Sequence, residues 1–307
     1  MVGRLMGRRA VVTGGAGGIG RAIAAAYLRE GASVVIADID AAAAKNTAEE
    51  LSNIGKIFAI SCDVTKSDET RSLAADAIRR LGSVNVLVNN AGLSGRGFIT
   101  EIPEERIDAL LAVNMKGVIL CAQAFAQAMY DEGEAVMINM SSQAGKRGWP
   151  ELSVYGATKA GVLGMNRALA VELAPRVRVN AICPGYISEV GMAWRGWEAR
   201  GEIEGANATD IGDRFAEENI PLQRLQSADD IANTAVVLAS DDAREITGDA
   251  INVGGGVVMD RWRLAMALQM KRDKRSARFQ RYAVAAALIL AILALWFHDI
   301  WLPAIQP

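Results

Sequence analysis

A tyrosine and a lysine four residues apart carry the clearest chemical signal in the sequence. Tyr155 and Lys159 lie in SVYGATKAG, and this spacing places both side chains on one face of a helix. A free phenol titrates near pH 10, too high for ready proton exchange at neutral pH. We expect a neighbouring ammonium to stabilise the phenolate and to lower the pKa of Tyr155. The pair therefore predicts general acid–base chemistry, although such pairs are common on helices.

Two further polar residues precede this pair. Ser142 ends the apolar run EAVMINMSS, thirteen residues before Tyr155, and Asn114 lies in AVNMKG within a predicted helix. A hydroxyl and an amide are suited to holding a substrate oxygen or a water beside a proton donor. Together the four residues predict one proton-transfer site.

A glycine-rich segment near the N-terminus predicts a nucleotide site. In VVTGGAGGIGRAIA, Gly14, Gly18 and Gly20 fit the spacing T-G-x-x-x-G-x-G between a strand and a helix. Glycines allow a tight turn and a close approach to a pyrophosphate, and the start of the helix offers free N–H groups and a positive dipole end. Glycines also simply end strands, so this segment needs the context of the next strand.

Asp38 supplies that context. It closes the apolar run SVVIAD, eighteen residues after Gly20, close to the offset of about 20 residues at which a carboxylate binds the adenosine ribose diol. A carboxylate would repel a 2′-phosphate, and Gly15 and Ala16 add no compensating cation. The segment therefore favours NAD over NADP, and the charge of an oxidised nicotinamide would further lower the pKa of Tyr155.

The elements around these motifs alternate regularly. Apolar runs of strand length and Ala- or Leu-rich stretches of helix length follow one another, which predicts an α/β fold with a doubly wound parallel sheet. The predicted strands are 9–15, 33–38, 56–64, 84–92, 134–142, 177–185 and 249–256, and the predicted helices are 18–30, 67–81, 104–131, 152–174 and 227–240. A long, irregular insertion at 186–226 lies where such folds place a substrate lid.

The ordered motifs TGGAGGIG, CDVT, NNAG, VNMKG, SSQAG, YGATK, NAICPGYI and ITGDAINVGGG resemble the short-chain dehydrogenase/reductase family over about residues 5–260. The resemblance implies a seven-stranded Rossmann-fold dehydrogenase domain at 1–260. It implies that Tyr155 is the general acid–base and that Ser142 binds the substrate oxygen. Lys159 would hold the ribose and lower the tyrosine pKa, and Asn114 would position a water for proton relay.

The resemblance also implies a set of cofactor contacts. Asp63 and Val64 would meet the adenine, and Asn90 would line the cleft. Two positions depart from the family pattern, because Glu189 replaces a common threonine and Gly254 replaces the acid of V-D-G-G. The predicted cofactor-binding residues are Gly14, Gly18, Ile19, Gly20, Asp38, Asp63, Val64, Asn90, Tyr155, Lys159, Pro184, Gly185 and Ile187.

The substrate is less well defined than the chemistry. The stretch SSQAGKRGWPEL is similar to that of family members acting on sugar alcohols, and Gln143, Lys146 and Arg147 could bind several hydroxyls, unless the two cations are solvated loop charges. Lid residues Arg195 and Arg200 could add to them. The prediction is NAD-dependent interconversion of a secondary alcohol and its ketone. Two alternatives are a 3-oxoacyl-thioester reductase and a retired dehydrogenase fold serving as a structural subunit of a membrane complex.

Composition limits the partners. Residues 1–260 carry a net charge of −8, which argues against a nucleic-acid partner. The cysteines Cys62, Cys121 and Cys183 are scattered without metal-ligand spacing, so reduced buried thiols and no metal are expected. No signal peptide is recognised at the N-terminus. The resemblance implies a homo-oligomer, a dimer or tetramer formed through the helices at 104–131 and 152–174.

The C-terminal residues have a different character. Residues 261–281 are strongly basic, and 282–302 are largely apolar and long enough for a helix to span a bilayer. No Lys or Arg follows, and Trp296, Phe297 and Trp301 lie near the far end. These features predict a transmembrane helix that holds the catalytic domain in the cytoplasm, contacting lipid and another membrane helix through 282–302. A buried oligomer helix is the rival interpretation, and His298 could bind a partner's pigment or metal.

Overall fold

The computed structural model describes residues 3–188 and 191–259. Within these ranges it contains seven strands, each of which overlaps a predicted one. The strands are β1 (Arg9–Thr13), β2 (Ser33–Asp38), β3 (Ile57–Ser61), β4 (Val86–Asn89), β5 (Ala135–Met140), β6 (Val177–Pro184) and β7 (Ala250–Val253). The bounds of β2 match the predicted ones, and the other strands are shorter than predicted mainly because the predicted ranges included the loops at their carboxyl ends.

All seven strands are parallel and lie in the order β3-β2-β1-β4-β5-β6-β7. The chain moves outward from β1 to β3, then crosses back to place β4 on the other side of β1. Ligands of such sheets bind outside the carboxyl ends of the strands, at the point where the order reverses. Here that point lies between β1 and β4, and it brings the glycine-rich turn next to the segment that follows Asn89.

Helices cover both faces of the sheet, which explains why the strands are apolar at nearly every position. They are α1 (Gly18–Arg29), α2 (Ala41–Leu51), α3 (Ser67–Leu81), α4 (Glu104–Leu111), α5 (Val118–Glu132), α6 (Ser153–Glu172), α7 (Gly191–Glu204), α8 (Ala208–Asn219) and α9 (Ala228–Ala239). One core cluster packs α1 and α9 on one face, and a second packs α3 and α5 on the other. The doubly wound α/β prediction is confirmed.

Helices α4 and α5 are parts of one long helix, Glu104–Glu132, interrupted by a π-helical turn at Ala112–Gly117. By length and composition alone this helix could cross a membrane. In the structure it packs against α3, β4 and β5, and its own side chains Cys121, Phe125 and Met129 are buried in that contact. It is therefore a core helix of this domain.

Two predictions about local structure are wrong. The region 186–226 is not an irregular insertion, because α7 and α8 occupy most of it. Helix α2 was not predicted, although Asp40 caps its first turn by accepting a hydrogen bond from Ala43 N at 2.9 Å. Asn207 caps α8 in the same way. Both helices carry polar sequences with few large apolar residues, so periodicity gave a weak signal and only the caps marked them.

Buried asparagines form a polar chain across the middle of the sheet. Asn89 Nδ2 donates to Asn139 Oδ1 at 2.9 Å, and Asn139 Nδ2 donates to Asn166 Oδ1 at 3.1 Å. Asn166 Nδ2 then reaches the carbonyl of Asp249 at 3.3 Å. The three asparagines are almost completely buried. Their hydrogen bonds join β4, β5 and α6 to Asp249, the residue before β7.

Several predictions fall outside the described residues. These are the domain boundary at 260, the basic segment 261–281, the transmembrane helix 282–302 and the family departure at Glu189.

Candidate active site

A cleft of about 680 Å³ opens at the carboxyl ends of the strands, around the point where the strand order reverses. The glycine-rich turn, the ends of β2, β4, β5 and β6, the start of α6 and the lid helix α7 all contribute to its walls. Most predicted site residues line it: Gly14, Gly18, Ile19, Asp38, Asp63, Val64, Asn90, Ser142, Tyr155, Lys159, Pro184, Gly185 and Ile187. Gly20 and Asn114 are not among the lining residues.

The glycine-rich turn is closed by backbone packing. Gly14 has a positive φ of 62°, and a Cβ there would lie 2.8 Å from Ala91 Cα. A Cβ on Gly20 would lie 2.1 Å from the carbonyl oxygen of Gly14. Gly20 therefore acts behind the cleft, by letting α1 approach the turn, which is why it does not line the wall.

Asn90 fixes this turn from the neighbouring strand. Its Nδ2 donates to the carbonyls of Thr13 and Gly14, both at 3.0 Å. In return, the hydroxyl of Thr13 accepts from the backbone N–H of Asn90 at 3.0 Å and of Ala91 at 3.1 Å. Thr13 was not predicted as a site residue. Its signal in the sequence was its place immediately before the first glycine.

Helix α1 presents an open N-terminus to the cleft. It begins at Gly18, and its N-cap residue, Gly17, contributes no side-chain cap. A Cβ on either glycine would meet nothing within 4 Å. Free N–H groups at a helix start beside a bare backbone are suited to the diphosphate of a dinucleotide. The residues present therefore fit this part of a nicotinamide cofactor.

Asp38 is oriented by two backbone donors. Its Oδ2 accepts from Ala16 N at 3.1 Å, and its Oδ1 accepts from Asp40 N at 3.2 Å. The carboxylate is thereby tied to the glycine-rich turn, at the edge of the cleft. No lysine or arginine occurs in residues 14–18 or 38–40. A carboxylate held in this way fits the hydroxyl groups of a ribose.

The end of β3 supplies the next part of the wall. Asp63 Oδ1 accepts from the backbone N–H of Thr65 at 3.0 Å and from its hydroxyl at 2.7 Å. Burial raises the pKa of Asp63, but these hydrogen bonds and Lys66 outweigh it and hold the pKa below its usual value. Asp63 is therefore an anionic acceptor at neutral pH, next to the apolar side chain of Val64. A polar acceptor beside an apolar surface is suited to an adenine ring.

The proton-transfer residues meet at the start of α6. The Lys159 ammonium is buried, donates to the carbonyl of Met140 at 3.0 Å and lies 5.8 Å from the centroid of the Tyr155 ring. Burial lowers the pKa of Lys159 to about 8. Burial also raises the pKa of Tyr155, and a hydrogen bond with Ser142 acts in the opposite direction.

The expected lowering of the Tyr155 pKa by Lys159 together with an oxidised nicotinamide stays a prediction. Among the protein groups, burial of the phenol has the largest effect on its pKa, and the Lys159 ammonium donates to the carbonyl of Met140. The group that lowers the tyrosine pKa is Ser142. The sequence did not indicate this, because it shows neither how deeply the phenol is buried nor which acceptor the lysine reaches.

Close backbone contacts set the distance between Ser142 and α6. A Cβ on Gly145 would lie 2.8 Å from the backbone of Lys159, and a Cβ on Gly156 would lie 2.9 Å from the carbonyl oxygen of Ala144. Ser141 Oγ donates to the carbonyl of Lys159 at 2.8 Å. The short 3₁₀ turn after Ser142 is therefore packed directly on the helix that carries the tyrosine and lysine.

Asn114 lies in the π-helical turn and is completely buried. Its Oδ1 accepts from Leu93 N at 2.7 Å, and its Nδ2 donates to Leu93 O at 2.9 Å and to Thr158 Oγ1 at 3.4 Å. Both polar atoms of its side chain thus hold protein partners. In the structure Asn114 fastens the cleft loop after β4 to α6, while its predicted role in positioning a water stays a prediction.

Tyr186 lines the lid side of the cleft and packs against aromatic residues of the two lid helices. Tyr186 packs edge-on against Phe215 with centroids 4.6 Å apart, and Trp197 stacks near both, at 6.4 Å from Tyr186 and 5.6 Å from Phe215. Trp149, Leu152, Tyr186 and Arg195 line the adjoining wall. Of these lid residues only Arg195 was predicted as a substrate contact, since a contact between distant aromatics leaves no local pattern.

Of the residues predicted to bind substrate hydroxyls, some line the cleft and others do not. Gln143 lines the cleft, but Lys146 and Arg147 do not. Lys146 Nζ donates to the carbonyl of Ala250 at 2.6 Å, and Arg147 lies over the Trp149 ring at 5.0 Å. Both side chains are directed to neighbouring protein groups, and their contact with substrate hydroxyls stays a prediction. Arg200 is not among the lining residues either.

The three cysteines are buried and unpaired, as predicted. Burial is the largest cause of the raised pKa of each thiol. Although Cys62 lines the cleft, a buried thiol of raised pKa is a poor nucleophile.

Comparisons with known proteins agree with this geometry. Residues 8–200 match the model of the short chain dehydrogenase family. A sorbitol dehydrogenase from Cereibacter sphaeroides is 39% identical over 82% of this chain and 98% of its own length. The 3-oxoacyl-[acyl-carrier-protein] reductase FabG from Staphylococcus epidermidis is 37% identical over 83% of this chain and 100% of its own length.

A solved structure of NAD+-bound xylitol dehydrogenase superimposes with a TM-score of 0.76. It is 25% identical to this chain and covers 82% of this chain and 100% of its own. The family match, the parallel seven-stranded sheet and the assembled Ser142, Tyr155 and Lys159 all lead to one assignment. The chain belongs to the short-chain dehydrogenase family and is an oxidoreductase that acts on CH–OH groups.

Proposed function

We propose that this enzyme interconverts a secondary alcohol and its ketone with NAD as cofactor, and that its substrates include sugar alcohols. The observation that carries the proposal is one cleft that holds Asp38 at one end and Ser142, Tyr155 and Lys159 at the other. Sorbitol dehydrogenase among the relatives and NAD+-bound xylitol dehydrogenase among the solved structures support the substrate class and the cofactor.

Different cleft residues would bind different parts of the cofactor. The α1 N-terminus would hold the diphosphate, Asp38 the adenosine ribose, and Asp63 and Val64 the adenine. Asn90, Pro184, Gly185 and Ile187 would line the remainder of the site. When bound, the nicotinamide supplies hydride-accepting chemistry beside the alcohol carbon.

The proton chemistry belongs to the chain's own residues. In alcohol oxidation Tyr155, as phenolate, takes the hydroxyl proton, and in ketone reduction it returns a proton to the carbonyl oxygen. Ser142 lowers the pKa of the phenol through its hydrogen bond in this structure, and it would turn that hydroxyl hydrogen to the reacting oxygen when a substrate binds. Lys159 retains most of its positive charge at neutral pH, since its pKa is about 8, and this charge favours the phenolate.

A 3-oxoacyl-thioester reductase is the second candidate, and the 37% identical FabG relative favours it. The apolar wall of Trp149, Leu152 and Tyr186 would accept an acyl chain. The carboxylate of Asp38, with no cation beside it, favours NAD and so argues against an NADPH-dependent reductase. The retired-scaffold alternative explains none of the assembled proton-transfer residues.

The decisive experiment is a screen of secondary alcohols with purified protein, in which NAD reduction is followed by absorbance. Sorbitol, xylitol and other polyols should be oxidised with NAD and much more slowly with NADP. A 3-oxoacyl thioester with NADH and with NADPH forms the second arm. Preference for NADPH and the thioester would replace the proposal, and NAD binding without turnover of any substrate would favour the scaffold alternative.

We also propose that residues 282–302 anchor the enzyme in a membrane, with the catalytic domain in the cytoplasm. The support is the apolar run and the one-sided basic flank at 261–281. The full-length chain should remain in the membrane fraction after salt and carbonate washing, and a chain ending at Asp260 should become soluble. A full-length chain released by washing would remove the anchor.

A homo-oligomer is proposed through the exposed sides of the long helix and α6. Leu111 and Ile119 on the long helix are 45% and 44% exposed, and Val171 on α6 is 81% exposed. These large apolar side chains support a contact with a second copy. Light scattering in detergent tests it: a dimer or tetramer is expected, and a monomer would contradict it.

A further inference from the structure

Two buried glutamines approach each other beside Gly185. Gln143 follows Ser142 and is 3% exposed, while Gln226 lies at the end of the lid segment and is 6% exposed. Neither Gln143 Nε2 nor Gln226 Oε1 has a hydrogen-bond partner among the described residues. One atom is a donor and the other an acceptor. Buried polar atoms without partners are rare enough to require an explanation.

The two atoms face each other across bare backbone. The point where a Cβ on Gly185 would lie is 2.6 Å from Gln226 Oε1 and 2.9 Å from Gln143 Nε2. A Cβ on Gly254 would lie 1.4 Å from Gln143 Nε2, so no side chain at 254 can coexist with this position of Gln143. The glycine that replaces the family's acid at position 254 therefore leaves the space that the Gln143 side chain fills.

Each glutamine is rigidly tied to a functional segment. Gln226 N donates to Tyr186 O at 2.9 Å, and Gln226 O accepts from Ser188 N at 2.8 Å, which joins the two ends of the lid segment. Gln143 O accepts from Lys146 N and Arg147 N, both at 3.0 Å, in the turn that Ser142 caps. A bond between the two carboxamides would thus connect the base of the lid to the catalytic serine.

We propose that Gln143 and Gln226 form a hydrogen-bonded pair, direct or through one buried water, that holds the Ser142 turn in register with the lid. Gly254 is a positioning residue that makes room for this pair. The inference deepens the proposed function, on which its kinetic test rests. A slight rotation of either side chain, or one water of ordinary size, would satisfy both atoms.

The test is a double-mutant cycle with shape-matched substitutions. Gln143→Met and Gln226→Met each remove one partner without leaving a cavity. Each should lower kcat/KM by about tenfold, because a buried amide then loses its partner, with NAD affinity changed less than about twofold. The double variant should also lose about tenfold rather than a hundredfold, since the two residues act through one bond. Losses that multiply would overturn the pair.

Further variants separate positioning from general damage. Gly254→Ala should reproduce the loss of Gln143→Met, because its Cβ would take the place of Gln143 Nε2. Gln127→Met, an exposed change on α5, should have no effect. Wild-type activity in Gly254→Ala would contradict the proposal.

Hydrogen exchange gives a readout that does not depend on activity. In Gln226→Met, the amides of Gly145, Lys146 and Arg147 should exchange at least about fivefold faster, although residue 226 is distant in sequence. Unchanged exchange there would overturn the link between lid and turn. An inactive wild type with this exchange effect would instead overturn the proposed function and keep the pair.

Discussion

The two ends of the cleft are built in different ways. At the cofactor end, glycine backbone and side-chain-to-backbone hydrogen bonds hold Gly14, Asp38 and Asn90. At the substrate end, Tyr186, Trp197 and Phe215 hold the wall through ring contacts between a strand end and two lid helices. Backbone packing admits few alternatives, whereas aromatic packing tolerates changes of shape. This difference allows a fixed cofactor site to be combined with a substrate wall that varies in shape.

The largest expected loss of turnover comes from a change at Tyr155, which lies where the cofactor end and the substrate end of the cleft meet. Tyr155→Phe removes the phenolic oxygen and keeps the ring, so turnover should fall by about 10² to 10⁴-fold, as expected when a positioned acid–base is lost. NAD affinity, measured by fluorescence titration, should change little. Turnover within about tenfold of the wild type would assign the proton transfer to another group.

The next effect concerns the cofactor end alone. Asp38→Ala removes the carboxylate proposed to bind the ribose diol, so NAD affinity should fall by about ten- to a hundredfold, the range for a hydrogen bond to a charged group. NADP affinity should stay constant or rise. Calorimetric titration of both cofactors measures the ratio, and an equal loss for both would show that Asp38 supports the turn rather than selects the cofactor.

A smaller effect should appear in the pH dependence. Ser142 lowers the pKa of Tyr155, so Ser142→Ala should raise that pKa. Alcohol oxidation requires the phenolate, and its pH–rate profile should therefore shift to higher pH, in addition to a loss of rate. Ketone reduction, which requires the protonated phenol, should keep its activity to higher pH. A profile that moves to lower pH would contradict the assignment.

The smallest effect should be confined to the substrate end. Trp197→Ala removes ring contacts of roughly 0.5–1.5 kcal/mol each, so KM for the alcohol should rise by about three- to tenfold. NAD affinity should stay unchanged, because Trp197 does not line the cofactor end. Trp194→Ala, which removes one ring contact instead of three, should have a weaker effect. An equal change in NAD affinity would abolish the distinction between the two ends.

The same contrast explains what the sequence could predict. Gly14, Tyr155 and Lys159 were predicted from spacing within one turn or helix, and Asp38 from its place at the end of the second strand, eighteen residues after Gly20. The contacts of Lys146 with Ala250 and of Trp197 with Phe215 depend on where distant segments meet, which spacing does not encode. The burial that raises the pKa of Tyr155 is likewise a property of the assembled fold.

The chain of asparagines through β4, β5 and α6 has a consequence for how the sheet is assembled. Strands such as VLVN and AVMINM are apolar on both faces, so hydrophobic burial alone would accept a shift of one strand along another. A shifted strand would leave the amides of Asn89 and Asn139 in hydrocarbon without partners, at a cost of about 1–3 kcal/mol each. The asparagines thus favour the native strand alignment over shifted ones. Asn139→Leu should therefore yield a mixture of strand alignments, even where it adds hydrophobic burial.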